Sequence, residues 1–408
     1  MTGQTKDLSR GRYALLALLL GLLPMLLPLS VDASVPMVPA IAAHFSTGTA
    51  SVQFSLSALI LGIAVGQLIY GPLSDRFGRK PVILAGIVAY AATASACANA
   101  PGIEALIFLR FLQGFFACSG VIVARAVIRD LFDREAGARL FALVMGIHGI
   151  MPTIAPGVSG WLTGAYGWQA VFWAMAGFAA LAGLAILFGL AETSPGSHGR
   201  SLHPRTVIAG YREVIRERSF LCYAVCGGFM YGALMAYFAG ASVGLIQYLG
   251  LTPLQFGIAM AVPMVSYITA QIAVARIAHR VGIDGLIRIG SSLAAIAGIG
   301  MLAFVLAGNI TVYTLMGPVV LVLVSLSFIV PGTTAGAMSP FAHMAGAASS
   351  LLGFVQFLIA AAATAAIGLM NDGTPLPMAV TIGICTVVTL ILYLTLVRPL
   401  RADTTEPE

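Results

Sequence analysis

Long apolar runs without a charged side chain dominate the pattern of the chain. Asp, Glu, Lys and Arg are absent from six stretches, 13–31, 81–103, 140–191, 219–275, 289–371 and 373–397. At about 20 residues per membrane crossing, these stretches hold ten spans, and two more fit within 33–74 and 104–125. The pattern therefore predicts an all-α integral membrane protein with twelve transmembrane helices.

The composition agrees with lipid as the main surrounding medium. Hydrophobic residues make up 59% of the 408 positions and charged residues only 9%, whereas soluble domains carry about 25% charged residues. The mean hydropathy is +0.97. All five cysteines lie in predicted spans without the spacing of a metal site, so we expect them to be small core residues and predict no metal.

Positive charge alternates between the two sides of the predicted bundle. Twenty of the 21 Lys and Arg residues fall within 6–12, 76–80, 125–139, 200–218, 276–288 and 398–401. The connections between these groups carry none, which is the positive-inside pattern with both termini cytoplasmic. This topology accounts for the net charge of +6 without a nucleic-acid partner. It predicts a multi-pass membrane protein.

The longest polar stretch divides the spans into two sets of six. It runs from Glu192 to Ser219 and predicts a cytoplasmic linker between two bundles. The predicted units are a tail at 1–12, bundles at 13–191 and 220–398, the linker at 192–219 and a tail at 399–408. An offset of 204 residues places Arg76 on Arg280 and Gly78 on Gly282. This register favours parallel repeats related by a pseudo-two-fold axis along the membrane normal.

The loop between the second and third spans carries the strongest motif, Gly71-Pro72-Leu73-Ser74-Asp75-Arg76-Phe77-Gly78-Arg79-Lys80. It closely resembles the loop signature of the major facilitator superfamily, which latches the outward-open state. Asp75 can accept charge-assisted hydrogen bonds from arginines. The expected gating residues are Gly71, Asp75, Arg76, Gly78, Arg79 and Arg129. The alternative is a solvated turn with topogenic charges.

Further segments resemble the same family and its Bcr/CflA drug-resistance branch. They are Leu109–Gly114, Ala126–Leu131, Asp32–Pro39, Gly167–Phe172, Ala191–Thr193 and Ala345–Phe357. In span five, Pro156, Gly157 and Gly160 resemble the antiporter signature, which implies a local bend and close helix packing. Plain packing of small residues is the alternative.

Two charged residues lie deep inside predicted spans, Asp32 in span one and Arg110 in span four. An intramembrane ionisable group indicates a functional site by default. At 1.5 Å per residue both fall in the outer half of the membrane, where they could share a cavity. We predict Asp32 as the proton-coupling acid and Arg110 as its electrostatic neighbour, with a structural ion pair as the alternative. His148 is the next candidate for coupling, with a hydrogen-bonded core histidine as the alternative.

Soft and aromatic residues recur at helical spacing in several spans and suit a pliable binding pocket. The expected substrate-binding residues are Met25, Asp32, Arg110, Gly114, Tyr231, Met235, Phe238, Met264, Tyr267, Phe354 and Phe357. Ordinary helix packing is the alternative for each stripe.

The resemblance implies a monomeric secondary transporter of the bacterial cytoplasmic membrane that exports drugs or small amphipathic metabolites in exchange for protons. The proton gradient is its energy source, and no cofactor is expected. A uniporter or proton symporter for a nutrient is the alternative. An enzyme is not expected, because the sequence has no metalloprotease, nucleophile-elbow or P-loop motif.

Overall fold

A computed structural model describes residues 10–132, 134–193 and 204–399, and every structural statement below concerns these residues. They form helices and connecting turns, without a strand. The helices are α1 (Arg10–Asp32), α2 (Val38–His44), α3 (Thr49–Phe77), α4 (Arg79–Ala98), α5 (Ile103–Leu131), α6 (Arg134–His148), α7 (Ile150–Tyr166), α8 (Trp168–Gly189), α9 (Pro204–Arg216), α10 (Arg218–Ala241), α11 (Pro253–Leu306), α12 (Val312–Met338), α13 (Ala345–Leu369) and α14 (Leu376–Leu392).

These helices supply the predicted spans. Eleven continuous helical segments of the described chain are long and apolar enough to cross a membrane. One of them is α11, whose 54 residues bend at Gly282 and so make two crossings. Two other spans combine two helices each, α1 with α2 and α6 with α7. The bend brings the count to twelve and confirms the all-helical membrane fold.

The internal repeat is visible in the backbone as well as in the sequence. Gly78 has φ 94° and Gly282 has φ 70°. Both values lie in the left-handed region that glycine adopts without a Cβ penalty. Since the two glycines are 204 residues apart, each half makes its turn between its second and third span with the same residue type.

Two helix pairs join the halves of the molecule, α3 with α13 and α7 with α11. We call the end that carries residues 76–80, 129–132 and 276–288 the basic end, and the opposite end the neutral end. Within the first half, small residues bring α3 and α5 together. A Cβ added at Gly62 would lie 2.0 Å from the Phe111 carbonyl oxygen, so the two backbones are in direct contact.

Large apolar side chains on the outer faces have no protein partner to cover them. Phe188 is 84% exposed, Leu369 77% and Leu181 69%. Such surfaces suit hydrocarbon, where an apolar side chain needs no burial in protein.

The described part of the predicted linker carries α9 at the basic end, and α10 begins within the linker at Arg218. The Tyr211 hydroxyl of α9 donates a hydrogen bond of 2.7 Å to the Leu68 carbonyl of α3. The linker therefore contacts the first half of the molecule. Residues 194–203 of the linker, 1–9 of the first predicted tail and 400–408 of the last lie outside the described residues.

Candidate functional site

Arg110 is held inside the first half by three acceptors. It lies two turns into α5 and is 1% exposed. Its guanidinium donates to Gln113 Oε1 at 2.6 Å, to the Ser30 carbonyl at 2.8 Å and to Ser34 Oγ. Its Cζ lies 5.5 Å from the centre of the Phe172 ring. A buried cation with several acceptors and a ring face is well compensated for its lost hydration.

Asp32 faces away from this arginine, contrary to the prediction of a shared cavity. Arg110 binds the Ser30 carbonyl and the Ser34 hydroxyl on either side of Asp32 in the chain, whereas the Asp32 carboxylate lies near Tyr237 of α10. No ion pair joins Asp32 to Arg110 in the described part of the chain. Asp32 is 2% exposed, and its Oδ2 has no hydrogen-bond partner among the described residues.

The surroundings of Asp32 come from both halves of the molecule. Its carboxylate is within electrostatic range of Tyr237 on α10. That hydroxyl donates to the sulfur of Met260 at 2.9 Å, which is a weak acceptor. The neighbouring Ala33 carbonyl accepts a hydrogen bond from Ser159 of α7. Asp32 is also the one Asp or Glu that is fully buried among the described residues.

A cavity of about 10 Å³ lies beside Arg110 at the interface of the halves, enough for about one water molecule. Ser34, Gln53, Arg110, Phe172 and Ala239 are among its lining residues. Asp32 is not. This part of the interior is therefore closed to any molecule of drug size.

Direct contacts close the neutral end between the halves. Gln53 Nε2 on α3 donates to the Ala239 carbonyl on α10 at 3.2 Å. Asn371 Nδ2 donates to Thr49 Oγ1 at 2.6 Å. A Cβ added at Gly257 of α11 would lie 3.0 Å from the Cα of Gly157 on α7. The predicted antiporter bend thus lies where the two halves meet.

Pro156 and Gly160 lie in the same helix as Gly157. Pro156 is inside α7, and both residues are buried. Gly157 itself faces open space, since nothing lies within 4 Å of a Cβ added there. The tight approach therefore depends on the absence of a side chain at Gly257.

At the basic end, Arg79 is the centre of an ionic network. Its Nη1 lies 2.6 Å from Asp75 Oδ1, and its Nε lies 2.8 Å from Asp130 Oδ2. Nη1 also donates to Ser74 Oγ at 2.8 Å. Sequence reasoning predicted Asp75 and Arg79 but missed Asp130, although it follows Arg129 directly in the quoted motif.

Glu192 binds the start of α4, another contact that the sequence did not reveal. Its carboxylate accepts hydrogen bonds from the backbone N–H of Arg79 at 2.9 Å and of Lys80 at 3.0 Å. These are the free donors of a helix N-terminus, where negative charge is favourable. Glu192 thus joins the segment that follows the sixth span to the start of the third span.

A cavity of about 760 Å³ opens at the basic end between the halves, a volume typical of small-molecule sites. It is lined by the predicted gating residues Gly71, Asp75, Arg76, Arg79 and Arg129, but not by Gly78. Arg76 lies with its Cζ 5.2 Å from the Phe77 ring centre.

Arg125 and Tyr211 also line this cavity, and neither was predicted as a site residue. Arg125 was assigned to a loop, but α5 continues to Leu131 and so carries it within a helix. Burial raises the pKa of the Tyr211 hydroxyl, which therefore remains a hydrogen-bond donor.

The predicted substrate residues do not line the large cavity. Met25, Met235, Phe238 and Met264 are buried, while Tyr231, Tyr267, Phe354 and Phe357 are partly buried. The rings of Tyr231 and Phe357 lie 5.7 Å apart. A Cβ at Gly114 would lie 2.0 Å from the Leu59 carbonyl oxygen, so Gly114 serves the packing of α5 on α3.

His148 ends α6 near the kink between the two parts of span five. It makes a hydrogen bond to the Pro24 backbone, while its Nδ1 is buried without a partner among the described residues. Ser30, Ser34 and Gln113 were not predicted as contacts of Arg110. Their spacing was the available signal, since Gln113 is one turn from Arg110.

Comparison with known proteins places this geometry in a family. A family model described as Major Facilitator Superfamily matches residues 20–365. The uncharacterized MFS-type transporter YdgK of Bacillus subtilis is 30% identical over 365 residues, covering 89% of this chain and 90% of the relative. The bicyclomycin resistance protein homolog of Haemophilus influenzae is 28% identical over 382 residues, covering 92% and 94%.

The overall architecture also matches a solved structure. A bacterial homolog of the human lysosomal transporter Spinster, in an inward-facing and unoccupied conformation, superposes with a TM-score of 0.75. The match covers 98% of this chain and 100% of the other at 14% sequence identity. At that identity the likeness describes the fold.

Proposed function

The chain belongs to the major facilitator superfamily of transporters, and from that premise we propose that it exports drugs or small amphipathic metabolites in exchange for protons. The name of the bicyclomycin resistance protein homolog supports a drug substrate. Transport would proceed by alternating access, with the two halves closing the neutral and basic ends in turn.

The observation that carries the proposal is the position of Asp32. Its carboxylate is buried near Tyr237 of the second half, and among the described residues its Oδ2 has no hydrogen-bond donor. A buried unpaired carboxylate is expensive, so a proton is its natural partner whenever no ligand is present. Since Asp32 is the one fully buried acid among the described residues, we expect one proton exchanged per substrate.

The two ends of the molecule support the alternating-access part of the proposal. The cavity of about 760 Å³ at the basic end would admit substrate. At the neutral end, the Gln53–Ala239 and Asn371–Thr49 contacts would have to separate before release on that side. The Asp75–Arg79–Asp130 network lies at the mouth of the cavity and would act as the gate.

We assign the basic end to the cytoplasm. The loops at that end carry the chain's Lys and Arg clusters, as the positive-inside rule requires. Both termini then lie in the cytoplasm of a bacterium, and the chain lies in the inner membrane as a monomer. Substrate would enter from the cytoplasm and leave through the neutral end.

Transport by the purified protein in proteoliposomes tests the proposal. With a pH gradient imposed, chloramphenicol should accumulate against its own gradient in the direction opposite to proton flow. Movement of drug and proton in the same direction would favour the symporter alternative. Drug movement that ignores the gradient would favour a uniporter, and both outcomes would contradict antiport.

A further inference from the structure

Two arginines of α5 face the large cavity on the same side of the helix. Arg125 and Arg129 are one turn apart, so their side chains project in nearly the same direction. Both are exposed and both line the cavity of about 760 Å³. Arg125 lies six residues before the end of α5 at Leu131, which is about 9 Å into the helix.

Two acids of the basic end are already engaged by another arginine. Asp75 and Asp130 both bind Arg79. In the part of the chain that the structure describes, no carboxylate lies within ion-pair distance of Arg125 or Arg129.

Neutral groups surround Arg125 instead. Its Cζ lies 5.9 Å from the centre of the Phe141 ring, and Tyr231 and His148 are within electrostatic range. Across the cavity, the Arg129 Nη1 atom lies 3.8 Å from the position of a Cβ added at Gly346 of α13. The cavity thus carries positive charge beside uncharged groups, and Asp75, the one acid in its described lining, is paired with Arg79.

Membrane topology alone does not require this placement. The positive-inside rule is satisfied by basic residues in the loops at the membrane surface. A charged side chain within a span faces a water-filled cavity or a partner and indicates a functional site. Guanidinium groups present planar forks of donors that suit carboxylate and phosphate oxygens.

We propose that Arg125 and Arg129 bind the anionic group (a carboxylate, sulfonate or phosphate) of an amphipathic organic molecule in this cavity. Met338 and Met344 line the same space and would contact its apolar part, since methionine adapts to varied shapes. That such molecules are exported rests on the function proposed above, whereas their binding does not.

Binding of two dyes with the same xanthene skeleton tests the proposal. Fluorescein carries a carboxylate, and rhodamine 123 is a cation. Their affinity for the purified full-length protein in neutral detergent is measured by fluorescence anisotropy. Wild type should bind fluorescein more tightly than rhodamine 123. Arg125→Gln should weaken fluorescein binding about tenfold, because one charge-assisted hydrogen bond is lost, and should leave rhodamine 123 binding unchanged or stronger.

Three variants separate this role from others. Arg216→Gln removes the same charge from the exposed surface of α9 and should leave both affinities unchanged. Phe141→Leu removes the ring beside Arg125 and should keep fluorescein binding, whereas a structural cation–π role would make it as damaging as Arg125→Gln. Arg125→Lys keeps the charge without the fork and should bind with intermediate affinity.

Competition identifies the source of the natural anion. Displacement of fluorescein by dihexanoylphosphatidylglycerol but not by benzoate would assign the site to a lipid headgroup. Displacement by benzoate would assign it to a free organic anion. Both results support the site, and displacement by neither would overturn it.

Equal loss of both dyes in Arg125→Gln, or equal loss of fluorescein binding in Arg216→Gln, would also overturn it. Proton-driven chloramphenicol transport is measured separately on wild type. Fluorescein binding without chloramphenicol transport would support the anion site and refute the export function. Chloramphenicol transport without fluorescein binding would support the export function and refute the anion site.

Discussion

Arg110 and Arg125 lie on one helix, 15 residues apart, in opposite environments. Arg110 is 1% exposed and donates to three acceptors. Arg125 faces an open cavity with no carboxylate partner among the described residues. The first arginine has used its donors inside the protein and positions α1 against α5. The second is the one that we propose binds a ligand.

The same contrast holds for the two ends of the molecule. Near Arg110 the halves meet around a space of about 10 Å³, while near Arg125 they enclose about 760 Å³. Since interfaces of packed side chains have discrete arrangements rather than continuous ones, exchange of these two environments is the step that the proposed alternating-access cycle requires. We expect the closed region around Asp32 and Arg110 to couple transport to protons, and the open region around Arg125 to bind ligand.

Asp32→Asn should have the largest effect and abolish proton-driven export, because the amide cannot take up and release a proton. Ligand binding should persist, since the cavity at the basic end does not include Asp32. The measurement is drug-induced proton release from purified protein at neutral pH. Asp372→Asn, which changes an exposed acid at the neutral end, is the matched control. Release undiminished in Asp32→Asn would move the coupling site elsewhere, with His148 the next candidate.

Arg110→Ala should come next and sharpens the contrast with Arg125. It leaves Gln113, Ser30 and Ser34 with unmet acceptors in a closed interior, so we expect destabilisation by about 3 kcal/mol. Arg110→Lys keeps the positive charge and should recover part of this lost stability. The recovery should be incomplete because ammonium lacks the planar fork of donors. Melting of the detergent-purified protein measures the effect. If Arg110→Ala melts like Arg125→Ala, the two arginines do not differ as described.

Gly257→Leu tests whether the neutral end must pack tightly. A side chain there would overlap Gly157, and overpacking typically costs about 1–3 kcal/mol. We expect slower export or a proton leak in proteoliposomes. Gly157→Ala enters open space and should behave like wild type. A tight, fully active Gly257→Leu protein would show that this contact is dispensable.

Asp75→Asn should have the smallest effect on stability, since Arg79 keeps Asp130 as a partner. Asp75 is 38% exposed on its side chain, so solvent limits the loss to about 0.5 kcal/mol. The double change with Asp130→Asn leaves Arg79 buried without a carboxylate. It should therefore cost more than the sum of the single changes by about 1 kcal/mol. Melting of the three variants gives this coupling, and simple additivity would show that the network does not act as a unit.

The fold could be predicted from the sequence because a bilayer permits few kinds of backbone structure. Charge-free runs mark the spans, since backbone groups in lipid must be satisfied within a helix. The repeat was also visible, and its paired glycines at 78 and 282 adopt the same unusual φ region. The charge-free runs do not show where a helix ends. The prediction therefore ended this span at Arg125, whereas α5 extends six residues further to Leu131.

The site was harder to predict from the sequence than the fold, for a geometric reason. Asp32 and Arg110 were correctly identified as buried, but their relative direction depends on which face of α1 meets α5. The backbone carbonyl of Ser30 and the hydroxyl of Ser34 fix that face through their hydrogen bonds to Arg110. Gly114 shows the same difficulty, because spacing alone does not distinguish a pocket from a packing seam. Arg125 was read as a topological charge because nothing in its spacing reveals the cavity.

The Glu192 contact also bears on how the chain is made. Glu192 is close behind the last residue of α8 and accepts hydrogen bonds from the first turn of α4. During synthesis from the N-terminus, this clasp becomes possible once the sixth span has left the ribosome. None of the second half is needed for it. The first six spans can therefore pack into a stable bundle before the last six spans are assembled against it.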